Sequence, residues 1–192
     1  MVIGVYGIIG SGKSTVARIF KENFNFKVID VDKIGHEVLC FPEVKEKLLK
    51  EFGDMILKGD GVGIDNKILG DIAFSNKVKK KLLENIMWPF MTEIIESKIK
   101  EDNRVLIDAA VLYSAGWDKF CDYTIYVYSF VPIIILRLLK KNKYSFIKIY
   151  HIIRAQKNII RDSFRADFKI NNSFKLDYIY KKVDCIWKKI ST

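Results

Sequence analysis

The chain has 192 residues, 49% of them hydrophobic and 29% charged; this composition excludes a disordered or low-complexity protein and suits one globular unit that buries roughly 70% of its unfolded surface. Its three cysteines, Cys40, Cys121 and Cys185, are too far apart for a zinc or redox motif and fit a reducing compartment. The net charge of +10 raises nucleic acid or an anionic surface as a partner; it is densest between Arg137 and Arg165 rather than in a tail, and abundant Lys, Ile and Asn are equally well explained by base composition.

The chain reaches a glycine turn by Gly7, with no basic head and no apolar run of about 7 to 15 residues before it, so the expected location is cytoplasmic. Continuous apolar runs predict strands over 2–6, 26–30, 104–112 and 123–128, separated by helical patterns. That alternation implies an α/β protein with a parallel sheet and helices on both faces. The helical signals include STVARIFKEN after the glycine turn and a long segment, NKVKKKLLENIMWPFMTEIIESKIKED, which Pro89 should kink or split. The most apolar stretch, YTIYVYSFVPIIILRLLKK, is interrupted by Ser129, Pro132 and Arg137 before it supplies the roughly 20 residues of a membrane span. It reads as a strand, a turn at Ser129 to Pro132 and a helix, with no membrane partner.

Residues Gly7 to Ser14, GIIGSGKS, satisfy the phosphate-loop pattern G-x-x-x-x-G-K-[ST], with a strand before it and a helix after it. The glycines let backbone N–H groups turn inward toward an anion, and the helix N-terminus adds partial positive charge. Gly10, Ser11, Gly12, Lys13, Ser14 and Thr15 are the expected ATP-binding residues, with Lys13 against the β- and γ-phosphates and Ser14 holding Mg²⁺. No Asn-Lys-x-Asp guanine-reading stretch is present, and Asp108 is followed by Ala109 and Ala110 rather than by a second acid. Transfer is therefore favoured over hydrolysis.

The second predicted strand ends in VIDVDKIGHEV, which puts Asp30 and Asp32 two residues apart at a strand's C-terminal end; strand alternation aims both the same way, toward the edge where parallel sheets bind ligands. With these blocks in place the sequence resembles the dephospho-coenzyme A kinase family nearly end to end. The resemblance rests on GIIGSGKSTVARIF, VIDVDKIGHEV, EFGDMIL, NKILGDIAF, WPFMTEI, DAAVLYSAGWDKFCDYTIYVY, LRLLKK and RAQKNIIRDSFRADFKINN. It implies ATP- and Mg²⁺-dependent transfer of the γ-phosphoryl to the ribose 3′-hydroxyl of dephospho-CoA, on a P-loop core with a helical CoA-binding region and a mobile lid. The chain departs from the family where Trp88-Pro89 replaces His-Pro, where Ser114 replaces a glutamate, and where Lys141 replaces a common arginine.

The expected organisation is a single domain: core at about 1–39, 102–136 and 166–192, a helical insertion at about 40–101 and a basic lid at about 137–165. In the lid, Phe146, Ile149, Ile153, Ile160 and Phe164 form one helical stripe read as core, and Arg154, Lys157, Arg161 and Arg165 form a basic stripe beside it. Asp32 is the expected general base, Lys13 and Arg137 the charges at the transferring phosphoryl, and Asp30, His36 and Lys141 the expected substrate contacts. His151 reads as structural, Trp117 as core or as a wall for the pantetheine arm, and Asn171 and Asn172 as an adenine-side loop or an ordinary turn. A monomer with no nucleic-acid partner is expected. Another small-molecule P-loop kinase, such as a nucleoside monophosphate kinase, and a nucleic-acid-binding P-loop protein remain the alternatives.

Overall fold

The computed structural model describes residues 1–59, 61–140 and 145–191, apart from the side chain of Phe74. Lys141 therefore lies outside the described residues. The elements in chain order are β1 (Val2–Tyr6), α1 (Lys13–Phe24), β2 (Lys27–Asp30), α2 (Val31–Val38), α3 (Pro42–Phe52), α4 (Asn66–Ser75), α5 (Lys77–Lys100), β3 (Val105–Asp108), β4 (Tyr123–Tyr128), α6 (Val131–Lys140), α7 (Phe146–Ala155), α8 (Lys157–Arg161), β5 (Phe168–Asn171) and α9 (Leu176–Ile190). By contacts the chain divides into two compact units, Met1–Asp30 with Ile99–Thr192, and Val31–Lys98.

The first unit holds a five-stranded sheet in the order β2-β3-β1-β4-β5, every pair parallel. Parallel strands buried on both faces need apolar side chains on both, and β1 meets that demand. Ile3 and Val5 join Val16, Ile19 and Phe20 of α1, Ile125 and Val127 of β4, and Ile179 and Val183 of α9 in one core cluster. On the opposite face, Tyr6 packs its ring edge on Tyr113 at 4.9 Å and against Tyr126 at 5.2 Å. A side chain at Gly4 would meet Leu112 Cδ2 at 2.6 Å and Cys121 Sγ at 2.8 Å. Trp117 is fully buried and belongs to the core.

The strands at 2–6 and 123–128 form as expected. The run at 104–112 pairs only over Val105–Asp108, because the chain turns away after the Ala109 N–H donates to the Val5 carbonyl at 3.1 Å. A fifth strand, β5, was not expected. It has only four residues, with an exposed Lys169 among them, so no apolar run marks it; Asp167 Oδ2 fixes its entry by accepting from both the N–H (2.7 Å) and the hydroxyl (2.8 Å) of Thr124.

Three local expectations are corrected. Asp32 does not continue β2, since α2 starts at Val31, so strand alternation does not relate it to Asp30. The turn expected at Ser129 to Pro132 ends earlier: α6 begins at Val131 and takes Pro132 in its first turn, where the missing N–H has no intrahelical partner to lose, so Arg137 lies in the last turn of that helix. The lid stripe is not core: the helix breaks at Gln156, the 3.6-residue period does not carry across, and Phe146 and Phe164 stay 59% and 74% exposed while Ile149 and Ile159 are buried.

In the second unit, α5 runs through Pro89 as one 24-residue helix instead of splitting, with the buried stripe Met87, Met91 and Ile95 continuous across the proline. The Asp65 carboxylate caps α4 by accepting from the N–H groups of Lys67 and Ile68. Helix α2 groups with this unit, where the sequence reading kept residues to 39 with the core. No helix among the described residues is long and apolar enough to cross a membrane.

Candidate phosphate-binding site

Because all five strands run the same way, their C-terminal ends share one edge of the sheet. In the first unit that edge collects the glycine loop after β1, Asp30 ending β2, Asp108 ending β3, Ser129 after β4, and Asn171 with Asn172 at the end of β5. Ligands of open parallel sheets bind beyond this edge.

The loop is built by close approach. A side chain at Gly7 would lie 2.1 Å from the Val127 carbonyl oxygen, and one at Gly12, where φ is +97°, would lie 1.6 Å from Asn172 Nδ2, so only glycine fits. Within the loop the Ser11 N–H donates to the Ile8 carbonyl at 3.1 Å, and the Thr15 and Val16 N–H groups donate to the Gly12 carbonyl. The N–H groups of Gly10, Gly12, Lys13 and Ser14 make no hydrogen bond among the described residues. They sit at and just before the N-terminus of the 12-residue α1, whose first turn carries no acidic residue. Four unpaired donors at a helix N-terminus with no neighbouring carboxylate in that turn fit a phosphate group.

Surrounding side chains hold this loop in place. Asn172 is buried; its Nδ2 donates to the Ser11 carbonyl at 2.9 Å, and its N–H donates to the Tyr128 carbonyl at 2.7 Å. Arg137 donates from Nη1 to the Gly10 carbonyl (3.3 Å) and Ser129 Oγ (3.4 Å), and from Nη2 to the Asn172 carbonyl (2.7 Å). From the lid segment, Gln156 Oε1 accepts the Ile9 N–H at 2.9 Å. The Ser11 hydroxyl is fully buried with no partner among the described residues, and it would sit 2.9 Å from a Cβ at Gly7, on the floor of the loop.

Beyond the loop, Ser14 Oγ donates to Asp108 Oδ2 at 3.4 Å, and Asp108 is the register partner of Asp30 on the neighbouring strand. A hydroxyl with a carboxylate behind it suits a hard cation that keeps water and phosphate oxygens as its other ligands, which is the habit of Mg²⁺. No cluster of three or more His, Cys, Asp or Glu side chains that would cage a metal is present among the described residues.

Lys13, Ser14 and Thr15 thus open α1 beside the loop. Asp32 and His36 lie on α2 in the second unit, where His36 Nδ1 is 3.0 Å from Asn66 Nδ2. The basic stripe is divided: Arg165 is tied to the core by Asp118 at 3.1 Å and lies 4.0 Å above the Tyr113 ring, while Arg154, Lys157 and Arg161 are exposed. His151 is exposed. In the sequence Asp108 marks only the lack of a second acid after it, and nothing singles out Gln156. A strand-end aspartate was the available signal for the first; a lone glutamine in a helical stretch offers none for the second.

A parallel sheet in this order with a phosphate loop after its central strand and a carboxylate behind the loop serine defines a P-loop kinase. The profile of the dephospho-CoA kinase family matches residues 1–177. A dephospho-CoA kinase of Fusobacterium nucleatum is 35% identical over 188 residues, covering 96% of this chain and 95% of its own. Among solved structures, a Campylobacter jejuni dephospho-CoA kinase superposes with a TM-score of 0.69 at 27% identity, covering 99% of this chain and 96% of its own. A Thermus thermophilus protein shares the fold, with a TM-score of 0.82 at 23% identity over 99% of this chain and 97% of its own. The chain belongs to the dephospho-CoA kinase family and is an ATP-dependent kinase.

Proposed function

We propose that this chain transfers the γ-phosphoryl of ATP to the ribose 3′-hydroxyl of dephospho-CoA, giving CoA and ADP. The observation that carries the reading is the set of unpaired N–H groups of Gly10, Gly12, Lys13 and Ser14 with Ser14 Oγ set 3.4 Å from Asp108 Oδ2, in a chain of this family. Gly10, Gly12, Lys13 and Ser14 receive the ATP phosphates through the loop, with Thr15 closing its end. Lys13 and Arg137 place positive charge beside the transferring group, which passes through a transition state whose charge is spread over the phosphoryl oxygens. Ser14 would hold Mg²⁺ with Asp108 and Asp30 behind it, and the ion neutralises phosphate charge when bound. Asp32 orients the acceptor hydroxyl and takes its proton. His36 and Lys141 contact the acceptor nucleotide. The protein acts in the cytoplasm as a monomer without nucleic-acid or membrane partners.

The test is ADP release with dephospho-CoA, nucleoside monophosphates and pantothenate as acceptors, with and without Mg²⁺ and DNA. Release with dephospho-CoA and Mg²⁺ alone supports the reading. Faster release with a nucleoside monophosphate moves the acceptor to that class, and steeply salt-dependent DNA binding without transfer moves the protein out of small-molecule kinases.

A further inference from the structure

We propose that Gln156 is a positioning residue for the phosphate loop: from the junction of α7 and α8 it holds the Ile9 N–H and so sets the conformation in which the loop receives phosphate. The inference rests on the reading of this loop as the ATP site.

The contact is long-range, joining residues 147 apart in sequence at 2.9 Å. Its polarity is not ambiguous: the Ile9 N–H can only donate, so the glutamine atom facing it is the amide oxygen. Such a contact means little if the glutamine is loosely held, and Gln156 is not. Its N–H donates to the carbonyls of both Ile152 and Ile153 at 3.2 Å, and its own carbonyl accepts from Ile159 at 3.0 Å and Ile160 at 3.4 Å. One residue therefore ends α7 and starts α8, with its backbone fixed from both sides and its side chain directed to the loop.

The segment after it is anchored in turn. Tyr6 Oη donates to the Asp162 carbonyl at 2.9 Å, Tyr113 Oη donates to the Arg165 carbonyl at 3.0 Å, and the Arg165 guanidinium pairs with Asp118. Gln156 is thus mounted on a part of the lid that is fastened to the sheet, and it can transmit that rigidity to the loop.

The chemistry on the loop is complementary to that of the other two holding residues. Arg137 and Asn172 hold loop carbonyls, those of Gly10 and Ser11, whereas Gln156 holds an N–H. In an anion cradle the N–H groups are the working atoms, and occupying one with a protein acceptor settles which remain for the ligand. Ile9 is spoken for; Gly10, Gly12, Lys13 and Ser14 are left. Without Gln156, the Ile9 peptide is free to rotate, and the four donors lose their common aim.

The test uses the full chain with two variants. Gln156→Met keeps the bulk and removes the acceptor; Gln156→Glu keeps an acceptor for Ile9. The expected result for Gln156→Met is faster hydrogen exchange at the Ile9 amide and a rise of about 5- to 30-fold in both the KM for ATP and the calorimetric Kd for ADP, with the KM for dephospho-CoA unchanged. Gln156→Glu should keep the slow Ile9 exchange. Wild-type exchange and ADP affinity in Gln156→Met, or a lower unfolding temperature with both KM values unchanged, would overturn the proposal. ADP binding needs no acceptor substrate, so a wild-type protein that binds ADP yet does not phosphorylate dephospho-CoA would refute the acceptor assignment and leave that of Gln156 standing.

Discussion

Asn172 and Gly12 occupy what amounts to a single side-chain space: Asn172 Nδ2 donates to the Ser11 carbonyl at 2.9 Å, and the same nitrogen stands 1.6 Å from where a Cβ of residue 12 would be. The end of β5 therefore packs directly on the backbone of the phosphate loop. Asn172→Ala leaves the Ser11 carbonyl buried without a donor, a cost of about 1 to 3 kcal/mol. Asn172→Asp is expected to be worse, because it turns a carboxylate oxygen toward that carbonyl. Gly12→Ala meets both the clash and a φ of +97° that L residues rarely adopt, and should abolish ATP binding. Urea unfolding and calorimetric titration with ADP check all three; an Asn172→Ala protein with unchanged midpoint and affinity would remove Asn172 from this role.

Arg137 is bound to three oxygens in this structure, those of Gly10, Ser129 and Asn172. Arg137→Lys keeps the charge but cannot serve three acceptors from a planar fork. Two effects are expected together: a lower unfolding midpoint, because the Asn172 carbonyl keeps only the Ser129 hydroxyl of its two side-chain donors, and a kcat that falls more than ATP affinity does, because charge beside the transferring phosphoryl matters most in the transition state. A lowered midpoint with unchanged kcat would make Arg137 an anchor of the loop and nothing more.

How much of this was legible in advance follows from how local each signal is. The glycine loop is contiguous, and its pattern, strand and helix all stand within residues 2–24, so sequence suffices for it. The residues that hold the loop, Arg137, Gln156 and Asn172, come from three distant elements and act partly through backbone atoms, which spacing does not encode. Arg137 was expected to meet phosphate; its observed partners are carbonyls and a hydroxyl of the protein. Strand β5 escaped because four residues beside β4, fixed by the Asp167 to Thr124 bonds, need no apolar run of their own. The lid stripe was misread because one helical break at Gln156 resets the phase on which the stripe depended.

The cysteines differ in a way that chemistry can read. Burial, with Asp118 and Asp122 nearby, pushes the Cys121 thiol up to about 12, and its Sγ donates to the Trp117 carbonyl at 3.6 Å; Cys40 and Cys185 are exposed. At pH 8 the native protein should consume two equivalents of a thiolate-seeking reagent quickly and the third only on unfolding. The sign for stability follows from the same shift. An unfolded thiol ionises near 9 while the folded one stays protonated to about 12, so stability from Cys121 is complete below pH 9 and declines as pH rises through that window. Cys121→Ser should flatten the decline between pH 9 and 11, read from unfolding midpoints. Three equally fast thiols in the native protein would contradict the burial.

Asp30 and Asp32 are two residues apart but belong to different elements, and their roles should separate accordingly. Asp30 ends β2 in register with Asp108, the carboxylate that meets the Ser14 hydroxyl, so its neighbourhood is that of the proposed cation. Asp32 stands in the first turn of α2, on the unit that carries His36. A ribose hydroxyl is a weak nucleophile at neutral pH, and a carboxylate that orients it and accepts its proton contributes on the order of 10²- to 10⁴-fold. Asp32→Asn preserves shape and removes the proton acceptor; kcat should fall by about that factor while the affinity for Mg-ATP changes little. Asp30→Asn should act on the other side of the reaction, weakening ATP binding in Mg²⁺ with little effect on ATP binding in EDTA. Steady-state ADP release and titration calorimetry on both variants distinguish the two, and near-normal turnover by Asp32→Asn would remove it as the general base.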